Sequence, residues 1–477
     1  MESKSSSQQF DFSDSEDSPV RPYRPITKVL KDVLVDNQTH ISSSISQSET
    51  AVEVWSSTHP KESSNVDTVK YEKPCEDNNN LQERPSPAGD ADNARFTKLR
   101  RSLSVSSQRK VVYMCSHQYI NLCDEMLKVP GRASMVAGLI EAYRLTNLLS
   151  VVEPRAATFE DLCSFHDTEY LDFLQRLSNQ DDQEKYDDVA QQYGLSYDCP
   201  AHPGVYDYAA MVSGATMQAA QSLMNDTADV VINWFGGWHH GKKDAASGFC
   251  YTNDIVLGIL KLREKFSKIL YVDLDLHHGD GVEDAFCSTN KVMTVSVHKH
   301  DVGFFPGTGS INDVGFGKGR YHTVNIPLRD GIRDTEFSAL VCRILVKVKE
   351  QYQPDVVVCQ CGADGLAGDP MESFNLTPFA LGKCLYTLLS WKLPLLLLGG
   401  GGYHHANTAR CWSYLTAVAL GRRLGTDIPD HKFLMEYGPD YSLEVTPGNK
   451  RDLNTQDSLQ QIYSQLLYNI TQIKQTS

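Results

Sequence analysis

An α/β fold, with an open parallel β-sheet flanked by helices on both faces, is what the sequence predicts from about residue 109 onward. Two observations carry that expectation. Short, nearly continuous apolar runs recur along the chain: ADVVINW, KILYVDLDLHH, KVMTVSVH, DVVVCQCGAD and LPLLLLGGGG. A strand covered on both faces needs such a run, because neither face meets water. Between the runs lie segments with apolar residues at helical spacing, such as EFSALVCRILVKVKEQY. Strands alternating with helices imply parallel strands joined by crossovers, and chemistry in such sheets gathers in loops beyond the carboxyl ends of the strands.

The elements follow in order. Residues 1–108 are rich in Ser, Asp, Glu, Asn, Gln and Pro, with few periodic apolar positions. Such a segment buries too little apolar surface to offset its ordering entropy, so a disordered extension is expected. Within it, DFSDSEDSP and KLRRSLSVSS offer serines to phosphorylation, although a solvated tail is the commoner role for any one serine. A globular domain over residues 109–447 opens at VVYMCS. Residues 448–477 turn polar again, as a tail or, through DSLQQIYSQLLYNITQIK, a terminal helix. The N-terminus is too polar for a signal peptide, and the longest apolar run is too short to span a bilayer.

Composition narrows the partners. The 477 residues carry a formal net charge of -15. That argues against nucleic-acid binding through a broad basic face and suits a cationic partner such as a Lys-rich peptide. The 12 cysteines form no disulfide framework. Cys359 and Cys361 stand two apart on a strand rather than as CxxC, and Cys115, Cys163, Cys342, Cys384 and Cys411 lie where a thiol acts as a small core residue. A reducing, intracellular compartment is therefore expected.

Four strand ends deliver chemistry: His239 and His240; Asp273, Asp275, His277, His278 and Asp280; Asp364; and Tyr403. One His or Asp at a strand end is usually a cap or a surface group. Several together resist that reading, since Asp is rarely buried unless paired or bound to metal. Asp275 and His277, two apart on extended chain, point the same way and can meet one ion, with Asp364 as third ligand. Three ligands and one open position describe a catalytic metal site. Zn²⁺ suits it, and the oxygen-rich set also admits Fe²⁺ or Mn²⁺. His239 and His240 form an acid/base pair, with Asp273 and Asp280 left over as orienting carboxylates. Tyr403 follows four glycines and can donate to an oxyanion. With neither GxGxxG nor GxxxxGK[ST] present, no nucleotide site is expected.

The ordered blocks RASM, YDCPA, GGWHHGKKDAASGFCY, YVDLDLHHGDGVEDAF, GFFPGTG, GKGRY, GADGLAGDPM and LGGGGYHHANTARCW resemble the class I zinc-dependent histone deacetylases, of the arginase–deacetylase fold, from Val111 to about Pro447. The resemblance implies zinc at Asp275, His277 and Asp364. It makes His240 the general base and then acid, His239 an electrostatic partner, and Asp273 and Asp280 their respective supports. Tyr403 would bind the oxyanion. Gly248, Phe249, Phe305 and Met371 would line a tunnel whose apolar walls suit the methylenes of lysine. Asp198 would sit at the rim, and Arg132 and Trp238 near an inner acetate cavity. Backbone carbonyls of Asp273, Asp275 and His277, with Ser296 and Val297, would hold K⁺. Implied partners are acetylated lysine peptides and proteins, histone tails included, with no direct nucleic acid and no membrane. The implied location is nucleus and cytoplasm.

Three rival readings are weaker. An inactive scaffold is disfavoured because every catalytic position carries the expected residue type. A polyamine deacetylase would carry a carboxylate gatekeeper where Met371 stands. An arginase-like two-metal hydrolase needs more Asp ligands than Asp364 and Asp369 offer. Departures from the family pattern are His322 after Tyr321, His404 and His405 after Tyr403, and the acidic insert NQDDQEKYDDVAQQ. That insert, with Asp181, Asp182, Asp187 and Asp188, would bias substrates toward basic flanks.

Overall fold

The computed structural model describes residues 109–179 and 187–473. The N-terminal extension with its serine clusters, residues 180–186 of the acidic insert, and residues 474–477 lie outside the described residues. Eight strands form one sheet: β1 (Val111–Met114), β2 (Ser150–Val152), β3 (Val230–Asn233), β4 (Ile269–Asp273), β5 (Val292–Lys299), β6 (Thr323–Leu328), β7 (Val356–Gln360) and β8 (Leu395–Leu398). Their order is β2-β1-β3-β8-β7-β4-β5-β6, and every pairing is parallel. The five named apolar runs are β3, β4, β5, β7 and β8, all inner strands. The edges lack such runs. β2 is exposed throughout, and β6 carries Asn325 and Pro327. Proline is tolerated there because an edge strand need not donate from every residue.

Alternate strand residues feed opposite faces, as the period of two requires. On one face Val112, Val231, Tyr271, Val358 and Leu396 pack with Ala219 and Leu223 of helix Val205–Met224 and with Ile255 and Ile259 of helix Asp254–Leu262. On the other, Tyr113, Ile232, Val272, Cys359 and Leu397 meet helices Arg132–Ala142, Asp334–Tyr352, Pro378–Ser390 and His405–Ala419. Beyond Pro447 the chain does not leave the body. Helix Gln456–Thr471 buries Leu459, Leu466 and Ile470, and Arg343 of helix Asp334–Tyr352 sits 3.7 Å from the Tyr463 ring centroid. No helix among the described residues is long and apolar enough to cross a membrane. Cys359 and Cys361 share a strand face with sulfurs 3.7 Å apart, both as free thiols.

The sheet's order is what assembles a site. β3, β8, β7 and β4 are consecutive, and these are the strands whose ends carry the candidate residues. Register levels them: Asn233 pairs with Leu398, Leu398 with Gln360, and Gln360 with Asp273.

Candidate active site

Past β4 the chain turns Asp275 and His277 to the same side, where Asp364 arrives from the end of β7. All three are buried, and their ligand atoms lie within 4.8 Å of one another. His277 Nδ1 is 3.3 Å from Asp275 Oδ1 and 2.9 Å from Asp364 Oδ2. Bonds of about 2.0–2.1 Å at tetrahedral angles hold ligand atoms roughly 3.3 Å apart, so the spacing fits one ion. The outer oxygens are already bound. Asp275 Oδ2 accepts from Gln360 Nε2 at 2.7 Å and from the Gly401 N–H at 2.9 Å, while Asp364 Oδ1 accepts from the Leu276 N–H at 3.0 Å. Burial opposes charge on His277, yet its hydrogen bonds to the Asp275 and Asp364 carboxylates win and push its pKa up to about 10. Two carboxylates that trap a proton on the ring between them form a cradle for positive charge, which a divalent ion fills better while displacing that proton.

The turn after β3 sets the two other imidazoles. Asp254, opening helix Asp254–Leu262, accepts from the N–H groups of Gly237 (3.0 Å) and Trp238 (2.8 Å) and from Thr216 Oγ1 (2.6 Å). Gly237 (φ 101°) runs so close to β8 that a Cβ would lie 2.7 Å from the Gly399 backbone. So fixed, His239 Nδ1 meets Asp273 Oδ2 at 2.8 Å and His240 Nδ1 meets Asp280 Oδ1 at 2.7 Å. The pair then splits. Against the burial that disfavours its charge, His239 is raised to about 9 by Asp273 and Asp275. His240 is lowered to about 3 by burial and then by the charge of His239, with Asp280 too weak to offset them. The second oxygen of Asp280 is taken by Lys242 Nζ at 2.7 Å. His240 is thus neutral, donates Nδ1–H to Asp280 and keeps the Nε2 lone pair for a proton.

Aromatic rings enclose this centre. Phe305 stands edge-on to His240 (4.8 Å between centroids), Phe249 edge-on to Tyr403 (5.7 Å), and Phe304 stacks on His277 (5.1 Å). Gly248 (φ 52°) passes so near that a Cβ would lie 2.5 Å from the His240 ring. A cavity of about 10 Å³ remains among His240, His277, Asp275, Gly401 and Tyr403, roughly the room of one water. A groove of about 1180 Å³ lies on the outer side of Phe305 and Asp280, and none of the three candidate ligands lines it. The chemistry belongs to the small cavity, where the titratable groups converge.

Not every expected position stands where foreseen. Asp198, expected at the rim, is fully buried, while its neighbour Tyr197 is 62% exposed. The segment folds the carboxylate inward and turns the phenol out. Arg132 and Trp238 are buried, and Arg132 Nη1 donates to the carbonyls of Gly400 and Gly402 (3.0 Å each), holding the glycine loop from beneath. Met371 is half-buried against the core. Asp273 ends β4, paired to Ser296 of β5 next to Val297, and Asp275 and His277 follow it. Two of the three extra histidines have structural contacts. His404 Nδ1 accepts from the Asn407 N–H as a helix N-cap, and His322 packs edge-on to Tyr352.

Three residues went unread in the sequence, and a fourth, Asp369, was weighed only as a metal ligand of a rival reading. Gln360 was legible in principle, as a lone amide inside an apolar strand run. Asp254, Lys242 and the loop-holding role of Asp369 carried no signal, because their partners are distant in the chain. Asp369 is the most consequential. Its Oδ2 accepts from the N–H groups of Tyr403 (2.7 Å) and His404 (3.2 Å), and its Oδ1 from that of Met371 (3.0 Å). Both of its oxygens are therefore engaged with backbone, and it is not part of the Asp275–His277–Asp364 cluster.

Known proteins match this arrangement. The family described as Histone deacetylase domain covers residues 126–419. Histone deacetylase 8 of Danio rerio is 54% identical over 368 residues, 77% of this chain and 97% of that protein. Its namesake in Xenopus tropicalis is 55% identical over 363 residues, 76% of this chain and 98% of that protein. Histone deacetylase 1 of Homo sapiens is 42% identical over 341 residues, 72% of this chain and 70% of that protein.

Proposed function

The chain belongs to the histone deacetylase family as a class I member similar to histone deacetylase 8, a metal-dependent protein lysine deacetylase, and from that premise we propose how its residues divide the reaction. The observation that carries the proposal is the pairing of a neutral, oriented His240 with a buried Asp275–His277–Asp364 cradle, their imidazoles 6.0 Å apart. Asp275, His277 and Asp364 hold the ion. Zinc is our assignment, with Fe²⁺ admitted by the same donors and K⁺ assigned to the carbonyls of Asp273, Asp275 and His277 with Ser296 and Val297. A divalent ion there supplies Lewis acidity to the acetyl carbonyl and lowers the pKa of water.

The protein's own groups do the rest. His240 Nε2 accepts the proton of the attacking water and later returns it to the departing lysine amine. Asp280 fixes the ring and its tautomer. His239, bonded through Nδ1 to Asp273, is the electrostatic partner of the developing charge. The Tyr403 hydroxyl donates to the tetrahedral oxyanion. Gly248, Phe249, Phe305 and Met371 wall the lysine stem and exclude water, Arg132 and Trp238 border the acetate side, and Asp198 is assigned to the substrate backbone. The substrates we assign are acetylated lysines of histone tails and other proteins, met in nucleus and cytoplasm. Neither nucleic acid nor membrane contributes to binding. We assign residues 109–447 as the catalytic domain, with helix Gln456–Thr471 of the C-terminal segment packed against it.

The test is turnover of an acetyl-lysine peptide alongside metal content by mass spectrometry. Tyr403→Phe is expected to lower kcat roughly 10²- to 10³-fold with bound metal unchanged, the scale of one oxyanion donor. Asp364→Asn is expected to lose both metal and activity. A Tyr403→Phe enzyme with wild-type kcat would remove the oxyanion role, and an active Asp364→Asn enzyme free of metal would remove the whole scheme.

A further inference from the structure

We propose that Asp369 is a positioning residue for catalysis: its buried carboxylate ties the Tyr403 backbone to the channel wall at Met371, holding the phenol in place. The proposal rests on the reading of Tyr403 as oxyanion donor.

Freedom in the segment before Tyr403 creates the need. Gly400 and Gly402 both have φ near 134°, a region that other residues rarely enter. A chain that flexible does not aim a side chain by itself. Its carbonyls are fixed by one cation, since Arg132 binds those of Gly400 and Gly402. Its following N–H groups are fixed by one carboxyl group, since Asp369 Oδ2 accepts from those of Tyr403 and His404. Removing either grip frees one side of the loop.

Asp369 sits where only such a task explains it. The residue is 2% exposed, and among the described residues no Lys or Arg forms an ion pair with it. A buried, unpaired carboxylate is costly unless hydrogen bonds compensate. Three backbone donors do so in part, two of them at the start of helix His405–Ala419, whose dipole favours negative charge, although burial and the charge of Asp364 still push the Asp369 pKa up to about 7. The donors come from two separate segments, so the carboxylate is a tie rather than a local cap. Its own segment is braced too: Asn407 Nδ2 donates to the Ala367 carbonyl at 3.0 Å, from the helix that Tyr403 precedes. Asp364 lies in the same stretch, five residues earlier in the sequence. Metal ligand, wall residue and oxyanion donor therefore share one bracket.

Asp369→Asn keeps the shape but turns an NH2 group toward at least one backbone donor. The expected result, on metal-loaded enzyme and an acetyl-lysine peptide, is a 10- to 100-fold fall in kcat. KM is expected to move less than 5-fold, with metal content and melting temperature near wild type. Because the effect passes through Tyr403, Asp369→Asn added to Tyr403→Phe should lower kcat less than 2-fold further. Wild-type kcat in Asp369→Asn, or a full second loss in the double variant, overturns the proposal while leaving Tyr403's own role intact. An inert Tyr403→Phe instead overturns that role. Should Asp369→Asn fail to fold, hydrogen exchange on the wild-type enzyme decides. Slow exchange across residues 402–405 supports the tie, and exchange as fast as an exposed loop ends it.

Discussion

His239 and His240 are neighbours in sequence, each bonded through Nδ1 to a carboxylate, yet one is charged and the other neutral. The difference lies in what else each carboxylate does. Asp273 has Tyr271 OH as its further side-chain partner, a neutral donor at 2.7 Å, and Asp275 adds its charge nearby. Asp280 is already neutralised by Lys242, so less of its field reaches His240, which also feels the cation beside it. Environments that push two like groups apart are how acid and base assignments arise. His166 shows the same physics used for stability alone. Its Nε2 accepts from the Asn253 N–H at 3.0 Å and its Nδ1 meets the Lys243 carbonyl at 3.2 Å, an arrangement only the neutral ring satisfies. Burial lowers its pKa to about 4. A group whose folded pKa is depressed stabilises fully above its unfolded value and loses that contribution as protons bind. We expect about 3 kcal/mol to be lost between pH 6.5 and 4. Urea midpoints measured across that window for wild type and His166→Gln check it. The gap between the two should be widest at neutral pH and shrink toward pH 4, and a gap constant with pH would show that His166 carries no such linkage.

At the scale of elements, the loops beyond the strands rather than the strands themselves are where precision is set. Each is fastened by a polar group from elsewhere: the histidine turn by Asp254, the metal loop by Gln360, the glycine loop by Arg132 and Asp369. This division explains what the sequence disclosed. Apolar runs locate inner strands because both faces must be dry, and a strand's end then locates His239, Asp275 or Tyr403 without any alignment in space. Fasteners leave no such trace. Gln360 and Asp275 lie 85 residues apart and Asp254 acts 16 residues upstream on Trp238, distances that no local pattern encodes. The edge strands escaped for the opposite reason, being too polar or too short to show a run. The inward turn of Asp198 was equally hidden, since burial of one carboxylate depends on the packing of its whole segment. Asp254 gives the element-scale prediction. Asp254→Ala strands two buried N–H groups and the Thr216 hydroxyl, so folding stability should fall by about 3 kcal/mol or more, at roughly 1–3 kcal/mol for each unmet group. Chemical denaturation measures it, and a loss below about 1 kcal/mol would mean that the turn finds other partners.

For the molecule as a whole, the metal cradle links folding to ligand. Its side chains come from two loops that only the parallel sheet brings together, so the unfolded chain offers no comparable site. An ion that binds the folded form alone stabilises it by RT ln(1 + [M]/Kd), about 2.7 kcal/mol at a hundredfold excess over Kd. The apo protein has a substitute, because a proton held on His277 up to about pH 10 partly balances Asp275 and Asp364. Removing metal should therefore lower the melting temperature without unfolding the protein near neutral pH. Restoring Zn²⁺ should raise it in a concentration-dependent way that saturates at one ion per chain. Asp364→Asn supplies the control. It lacks one carboxylate, so its melting temperature should be nearly indifferent to both chelator and added metal. Scanning calorimetry over a series of free Zn²⁺ concentrations distinguishes the cases. Equal metal-dependent shifts in wild type and Asp364→Asn would place the stabilising ion somewhere other than the end of β4 and β7.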